Sequence, residues 1–129
     1  MSRKSTVYLV DDDDAVRDSL SVLFGVEGLT VRSFASGQAL LDDLPRLGSG
    51  CVVTDVHMAG MSGLQLLRRL RAHGVTLPVI LITGRSDATL TAGAKAAGAT
   101  VLIEKPFGPR EIVSAVRQAL TENAAAGAG

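Results

Sequence analysis

The sequence predicts an α/β fold of five strand–helix units, (βα)5, doubly wound, with a five-stranded parallel sheet carrying helices on both faces. Three observations support this. Five short β-rich runs recur along the 129 residues: TVYLV (6–10), LTVRSF (29–34), CVVTD (51–55), LPVILIT (77–83) and TVLIE (100–104). Most are continuously apolar rather than alternating, as strands buried on both faces are. Between them apolar residues fall at helical spacing, and strands alternating with helices build parallel sheets because each parallel crossover needs a connecting element.

Each element has its own signals. The first strand runs into four aspartates, Asp11 to Asp14; Asp13 and Asp14 read as the start of the first helix, where acids favour the free N–H groups. Val16, Leu20, Leu23 and Phe24 mark that helix, and Gly28 precedes the second strand. Ser36 enters the second helix, marked by Ala39, Leu40 and Leu44. Ser62 enters the third, marked by Leu64, Leu67 and Leu70; His73, just before Gly74, suits its C-terminal end as a cation. Arg68, Arg69 and Arg71 spread around this helix and read as a solvated face. The fourth segment, 86–97, is mostly alanine with Gly93 inside, which costs about 1 kcal/mol relative to alanine, so a mobile helix is expected. Pro109 opens the last helix, marked by Ile112, Val116, Ala119 and Leu120. Residues 1–121 form the expected domain, and ENAAAGAG (122–129) reads as a flexible tail or linker.

Composition removes several function classes. Thirteen basic residues balance thirteen acidic ones, with no basic stripe, so direct nucleic-acid binding by this chain is not expected. Three Phe, one Tyr and no Trp leave an aliphatic core. Cys51 is the only cysteine, lies in an apolar run, and reads as core. MSRKST has no apolar signal-peptide segment, and no apolar stretch approaches a membrane span, so a soluble cytoplasmic protein is expected.

In open α/β sheets the ligand site lies at the carboxyl ends of the strands. There the chain places Asp11 to Asp14 after the first strand, Thr54 and Asp55 after the third, Thr83 and Gly84 after the fourth, and Glu104, Lys105 and Pro106 after the fifth. Two unit charges about 4 Å apart interact by roughly 4 kcal/mol at an effective dielectric near 20, so the acidic run needs a reason. Singly, each residue has a plain explanation: a helix cap, a surface lysine. Together they suggest a hard divalent cation held by oxygens. Mg²⁺ takes one or two carboxylates, keeps several waters and adds a phosphate oxygen. A hydroxyl and an ammonium would then stabilise charge on a phosphoryl group.

VDD (10–12), TDVHMAGMSG (54–63), ITG (82–84) and EKPF (104–107) together resemble the receiver domain of two-component response regulators, in particular the FixJ subgroup, over residues 5–121. The resemblance implies a CheY-like, flavodoxin-like architecture and a signalling role rather than an enzyme acting on outside substrates: the domain promotes only its own phosphorylation and dephosphorylation. Asp55 matches the aspartate that accepts a phosphoryl group from a histidine kinase. Asp12 matches the direct Mg²⁺ ligand, Asp11 the acid beside it acting largely through water, and the backbone carbonyl of His57 the third protein ligand. Thr83 matches the hydroxyl that follows the phosphoryl group and Lys105 the lysine that pairs with it, with Pro106 at the place of a cis peptide. The family further implies a face of fourth helix, fifth strand and fifth helix used for self-association or for contact with an output domain.

Three features depart from the family pattern or vary within it. Met58 is followed by Ala59 where the family usually has proline, which is expected to loosen the loop. Leu102 stands where an inward-rotating aromatic is usual, so it either repacks as a switch or is simply packing. His57 and Arg85 occupy the places, two residues after Asp55 and Thr83, that modulate the lifetime of the phosphoaspartate. Two rivals fit less well. A haloacid-dehalogenase-type phosphohydrolase would use Asp12 as nucleophile, but nothing after Lys105 supplies its acidic metal pair and Asp55 is left without a role. A flavodoxin-like flavin binder would place a phosphate beside four aspartates.

Overall fold

The computed structural model describes residues 5–128, with side chains described to Asn123; residues 1–4, where the leader reading began, and Gly129 lie outside the described residues. The elements follow as β1 (Thr6–Val10), α1 (Asp14–Val26), β2 (Thr30–Phe34), α2 (Gly37–Asp42), a 3-10 turn (Leu44–Arg46), β3 (Gly50–Asp55), α3 (Gly63–Ala72), β4 (Val79–Thr83), α4 (Ala88–Ala97), β5 (Val101–Glu104) and α5 (Pro109–Ala128). The five strands form one parallel sheet, as expected, and their order is β2-β1-β3-β4-β5. The order reverses between β1 and β3, where the connections leave towards opposite faces and a crevice opens beyond the strand ends.

Strand residues alternate between two cores. Val7, Leu9, Cys51, Val53, Ile80, Ile82 and Ile103 pack with Leu20 and Phe24 of α1 and with Ile112, Val116 and Ala119 of α5. Tyr8, Val10, Val52, Val79 and Leu81 pack on the other face with Leu40 of α2, Leu66, Leu67 and Leu70 of α3, and Ala94 of α4. This explains the unbroken apolar runs: every position of β3 and β4 is buried, while the edge strands β2 and β5 are partly open. Cys51 is fully buried, and burial pushes its thiol up to about 12.

The helix starts follow their caps. The Asp13 carboxylate accepts from the N–H groups of Ala15 and Val16, Ser36 from Ala39, and Asp87 from Leu90. Ser62 and Gln65 form a reciprocal capping box at α3, satisfying two N–H groups that the helix cannot.

Four details differ from the sequence reading. The second helix stops at Asp42, and Leu44 falls in the 3-10 turn, because Pro45 lacks an N–H and its ring excludes the preceding turn. Arg71 is not part of a solvated face. Its guanidinium, its pKa lowered by burial, donates to the carbonyls of Val75 and Leu77 at 2.9 Å and of Gly98 at 3.1 Å, tying α3 to the approaches of β4 and β5. Gly93 has a packing reason: a Cβ there would lie 3.2 Å from Leu64, where α3 and α4 meet. Residues 122–128, expected as a flexible tail, continue α5, in keeping with the high helix propensity of alanine, and Asn123 accepts from Gly50 N–H at 2.8 Å.

Candidate functional site

The register of the sheet builds the site. Val10 pairs with Thr54, so the residues that follow, Asp11 just past β1 and Asp55 at the end of β3, emerge side by side at the switch point. Asp55 in turn pairs with Ile82, and Thr83 with Glu104, which brings Thr83 and Lys105 to the same edge.

Asp55 is the buried centre, 8% exposed. Its Oδ2 accepts from Lys105 Nζ at 3.1 Å, and its Oδ1 from the His57 N–H, also at 3.1 Å. The next residue is held on both sides: Val56 N–H donates to Ile82 O, and Val56 O accepts from Gly63 N–H. The peptide between Lys105 and Pro106 is cis, matching the expectation for Pro106.

Asp11 is also buried, and Asp12 is exposed. Burial raises the Asp11 pKa above the ordinary aspartate range; the Asp13 N–H works against that rise, the Asp55 charge adds to it, Lys105 opposes it and Asp12 adds to it. Asp12 Oδ2 accepts from Ala59 N–H at 2.9 Å. Ala59 therefore does not simply loosen the loop: it supplies a main-chain donor that proline could not, and ties that loop to the acid run.

The donors at this edge are hard oxygens around a site rich in negative charge, the chemistry that suits Mg²⁺. Among the described residues no three His, Cys, Asp or Glu side chains converge closely enough to enclose a metal alone. An ion here would complete its shell with backbone carbonyl and water, which Mg²⁺, slow to dehydrate, ordinarily does. The residues present fit such an ion.

The remaining candidates are less closely engaged. Thr83 is fully buried, and its hydroxyl is occupied locally, donating to Arg85 O at 2.9 Å and accepting from Arg85 N–H at 3.2 Å. It does not cap α4, since Asp87 does. The side chains of His57 and Arg85 are exposed, and Leu102 is half-buried against the core of α3 and α4. His73 is the exposed C-cap of α3.

Two contacts at the site went unread in the sequence. Arg17 reaches the acid run from α1, and Ser86 Oγ donates to Glu104 Oε2 at 2.6 Å, linking the loop after β4 to the end of β5. The Asp14–Arg17 spacing is that of a helical ion pair and could have been read, whereas nothing local names the Asp11 carbonyl as a partner of Arg17 or Glu104 as a partner of Ser86.

Comparison with known proteins agrees with this geometry. Residues 7–117 match the model of the response regulator receiver domain. The chain is 44% identical over 127 residues to the transcriptional regulatory protein FixJ of Azorhizobium caulinodans, a match covering 98% of this chain and 60% of that protein. The crystal structure of FixJ-N superposes with a TM-score of 0.86 at 38% identity, covering 93% of this chain and 96% of that one. Full-length FixJ from B. japonicum gives a TM-score of 0.86 at 38% identity, over 95% of this chain and 60% of that one. The chain thus spans about 60% of the length of the full-length relatives that it matches. With five parallel strands in the CheY-like order, the matching motifs and this extent of identity, the chain belongs to the family of response regulator receiver domains of two-component systems.

Proposed function

We propose that this receiver domain accepts a phosphoryl group on Asp55 from the phosphohistidine of a histidine kinase, in a Mg²⁺-dependent reaction, and passes or reads out that signal. One observation carries the reading above the others. A buried carboxylate at the switch point is gripped by Lys105 Nζ on one oxygen and the His57 N–H on the other, with the Asp11 carboxylate emerging beside it.

In this reading an Asp55 carboxylate oxygen attacks the phosphorus, the new O–P bond forming as the N–P bond breaks. The pair of electrons returns to the imidazole, which leaves neutral when its other nitrogen carries a proton. Lys105 holds the Asp55 carboxylate in place and offers its charge to the phosphoryl oxygens. Thr83 exchanges its bonds with the Arg85 backbone for the phosphoryl group. Bound among Asp11, Asp12, Asp55 and the His57 backbone carbonyl, Mg²⁺ would neutralise the charge that develops on those oxygens. His57 and Arg85 set how fast the acyl phosphate hydrolyses, and Leu102 repacks where an aromatic would turn inward.

The partners follow as part of the same proposal: a histidine kinase, and either a second copy or an output domain on the face of α4, β5 and α5. Among the described residues no helix is long and apolar enough to cross a membrane, which is in keeping with action in the cytoplasm. The test is phosphorylation by a small phosphoramidate donor with Mg²⁺, read by intact mass. Wild type is expected to gain one phosphoryl group, lost on treatment with hydroxylamine, and Asp55→Asn to gain none. Labelling that survives in Asp55→Asn and disappears in Asp12→Asn would move the nucleophile to Asp12 and sink the proposal.

A further inference from the structure

The acid run after β1 is held by a cation that avoids the carboxylates of Asp11 and Asp12. Arg17 lies in the first turns of α1, half-buried, with its side chain turned back along the helix. Its Nη1 donates to the main-chain carbonyl of Asp11 at 2.8 Å, and its Nη2 to Asp14 Oδ1 at 2.5 Å. One planar fork therefore grips both ends of the Asp11–Asp14 run, a geometry that lysine cannot reproduce. The Asp11 and Asp12 carboxylates have other partners: Asp11 Oδ1 accepts from Asp13 N–H and Asp12 Oδ2 from Ala59 N–H.

The choice of a carbonyl matters. An arginine placed on the Asp11 or Asp12 carboxylate would compete with any incoming cation for the same oxygens. Placed on the backbone, it offsets the repulsion within the run and fixes its path while those oxygens stay available. We propose that Arg17 is a positioning residue for the cation site, setting how tightly Mg²⁺ binds by anchoring the Asp11 carbonyl. The inference rests on reading Asp11 and Asp12 as Mg²⁺-binding acids.

Two effects oppose each other when Arg17 is removed, and that makes the test sharp. Loss of a positive charge beside four acids should by itself strengthen binding of a cation. Loss of the anchor should weaken it, because partners that orient metal ligands typically contribute about 10–100-fold in affinity. The experiment is a calorimetric titration of the full chain with MgCl₂, with circular dichroism confirming that each variant is folded. Arg17→Ala is expected to raise the dissociation constant about tenfold, the low end for such an orienting partner. Arg17→Lys, which keeps the charge without the fork, should fall between it and wild type. Asp14→Ala, which removes only the ion pair, should stay within about twofold of wild type, since an exposed pair of this kind contributes little. Arg17→Ala binding Mg²⁺ as tightly as wild type, or more tightly, overturns the proposal. So does Asp14→Ala weakening it as much as Arg17→Ala. A wild-type chain that takes up no Mg²⁺ removes the underlying reading as well, and that result is distinct from the other two.

Discussion

The carboxylates of this protein are told apart by what surrounds them. Asp13 caps a helix, Asp55 is held by an ammonium and an amide, Asp11 is buried and near a like charge, and Asp43 sits between two guanidinium groups. Asp43 allows a pH prediction remote from the site. Burial works against its charge, but side-chain hydrogen bonds from Arg46 and Arg32, aided by their charges, outweigh it and hold its pKa below the ordinary carboxylate range. A depressed folded-state pKa stabilises the fold above the unfolded value near 3.8, and the gain is lost as pH falls through the folded one. Acid denaturation of Asp43→Asn should therefore lack that part of the wild-type dependence, its stability falling less steeply below pH 4; an unchanged acid limb would contradict the assignment. Arg32 also stacks over the Tyr8 and Phe34 rings at 5.8 and 5.5 Å, so removing its acid partner should leave it in place. At this scale the sequence is informative about residue type and silent about partners. The acids and Lys105 were legible as chemistry, whereas the Ala59 tie to Asp12 and the Arg17 anchor join residues that no spacing rule connects.

Elements aim these residues, and at the junction of β3 with α3 the fit leaves no room for a side chain. Gly63 opens α3 directly beneath the end of β3, where an added Cβ would lie 2.2 Å from the Asp55 carbonyl oxygen and 3.0 Å from the Val56 Cα. Both are backbone atoms and cannot swing aside. Gly63→Ala is expected to cost about 1–3 kcal/mol in urea unfolding and to slow Asp55 phosphorylation, because relief comes only by shifting the strand end. Wild-type stability and rate would refute it. The capping box at Ser62 and Gln65 holds α3 at this start, so the helix cannot slip to make room. Most elements were legible: caps and apolar spacing placed α1, α3 and α5 close to where they lie. The misjudged ones have tertiary or local causes. Pro45 cut α2 short, and Arg71, which reads as solvated on its own helix, is drawn to the Gly98 carbonyl across the fold.

On the scale of the whole molecule, the parallel register gathers acid from β1 and β3 into one crevice at zero net charge overall. A ligand that binds only the folded state stabilises it by mass action, by about 2.7 kcal/mol at a hundredfold excess over its dissociation constant. Mg²⁺ at that excess is therefore expected to raise the melting temperature by about 10 °C in a domain of this size. An unchanged melting curve in excess MgCl₂ would count strongly against the cation site. The fold class, the five strands, the aliphatic two-sided core and the residue types at the strand ends were determined by the sequence alone, because periodicity, capping residues and apolar runs are local properties. Which strand neighbours which, and hence that Asp11 meets Asp55, that Lys105 reaches the Asp55 carboxylate, and that Arg71 binds the Gly98 carbonyl, was decided by tertiary structure. Those contacts depend on register and on packing across the sheet, and they exist only once all five units have closed on one another.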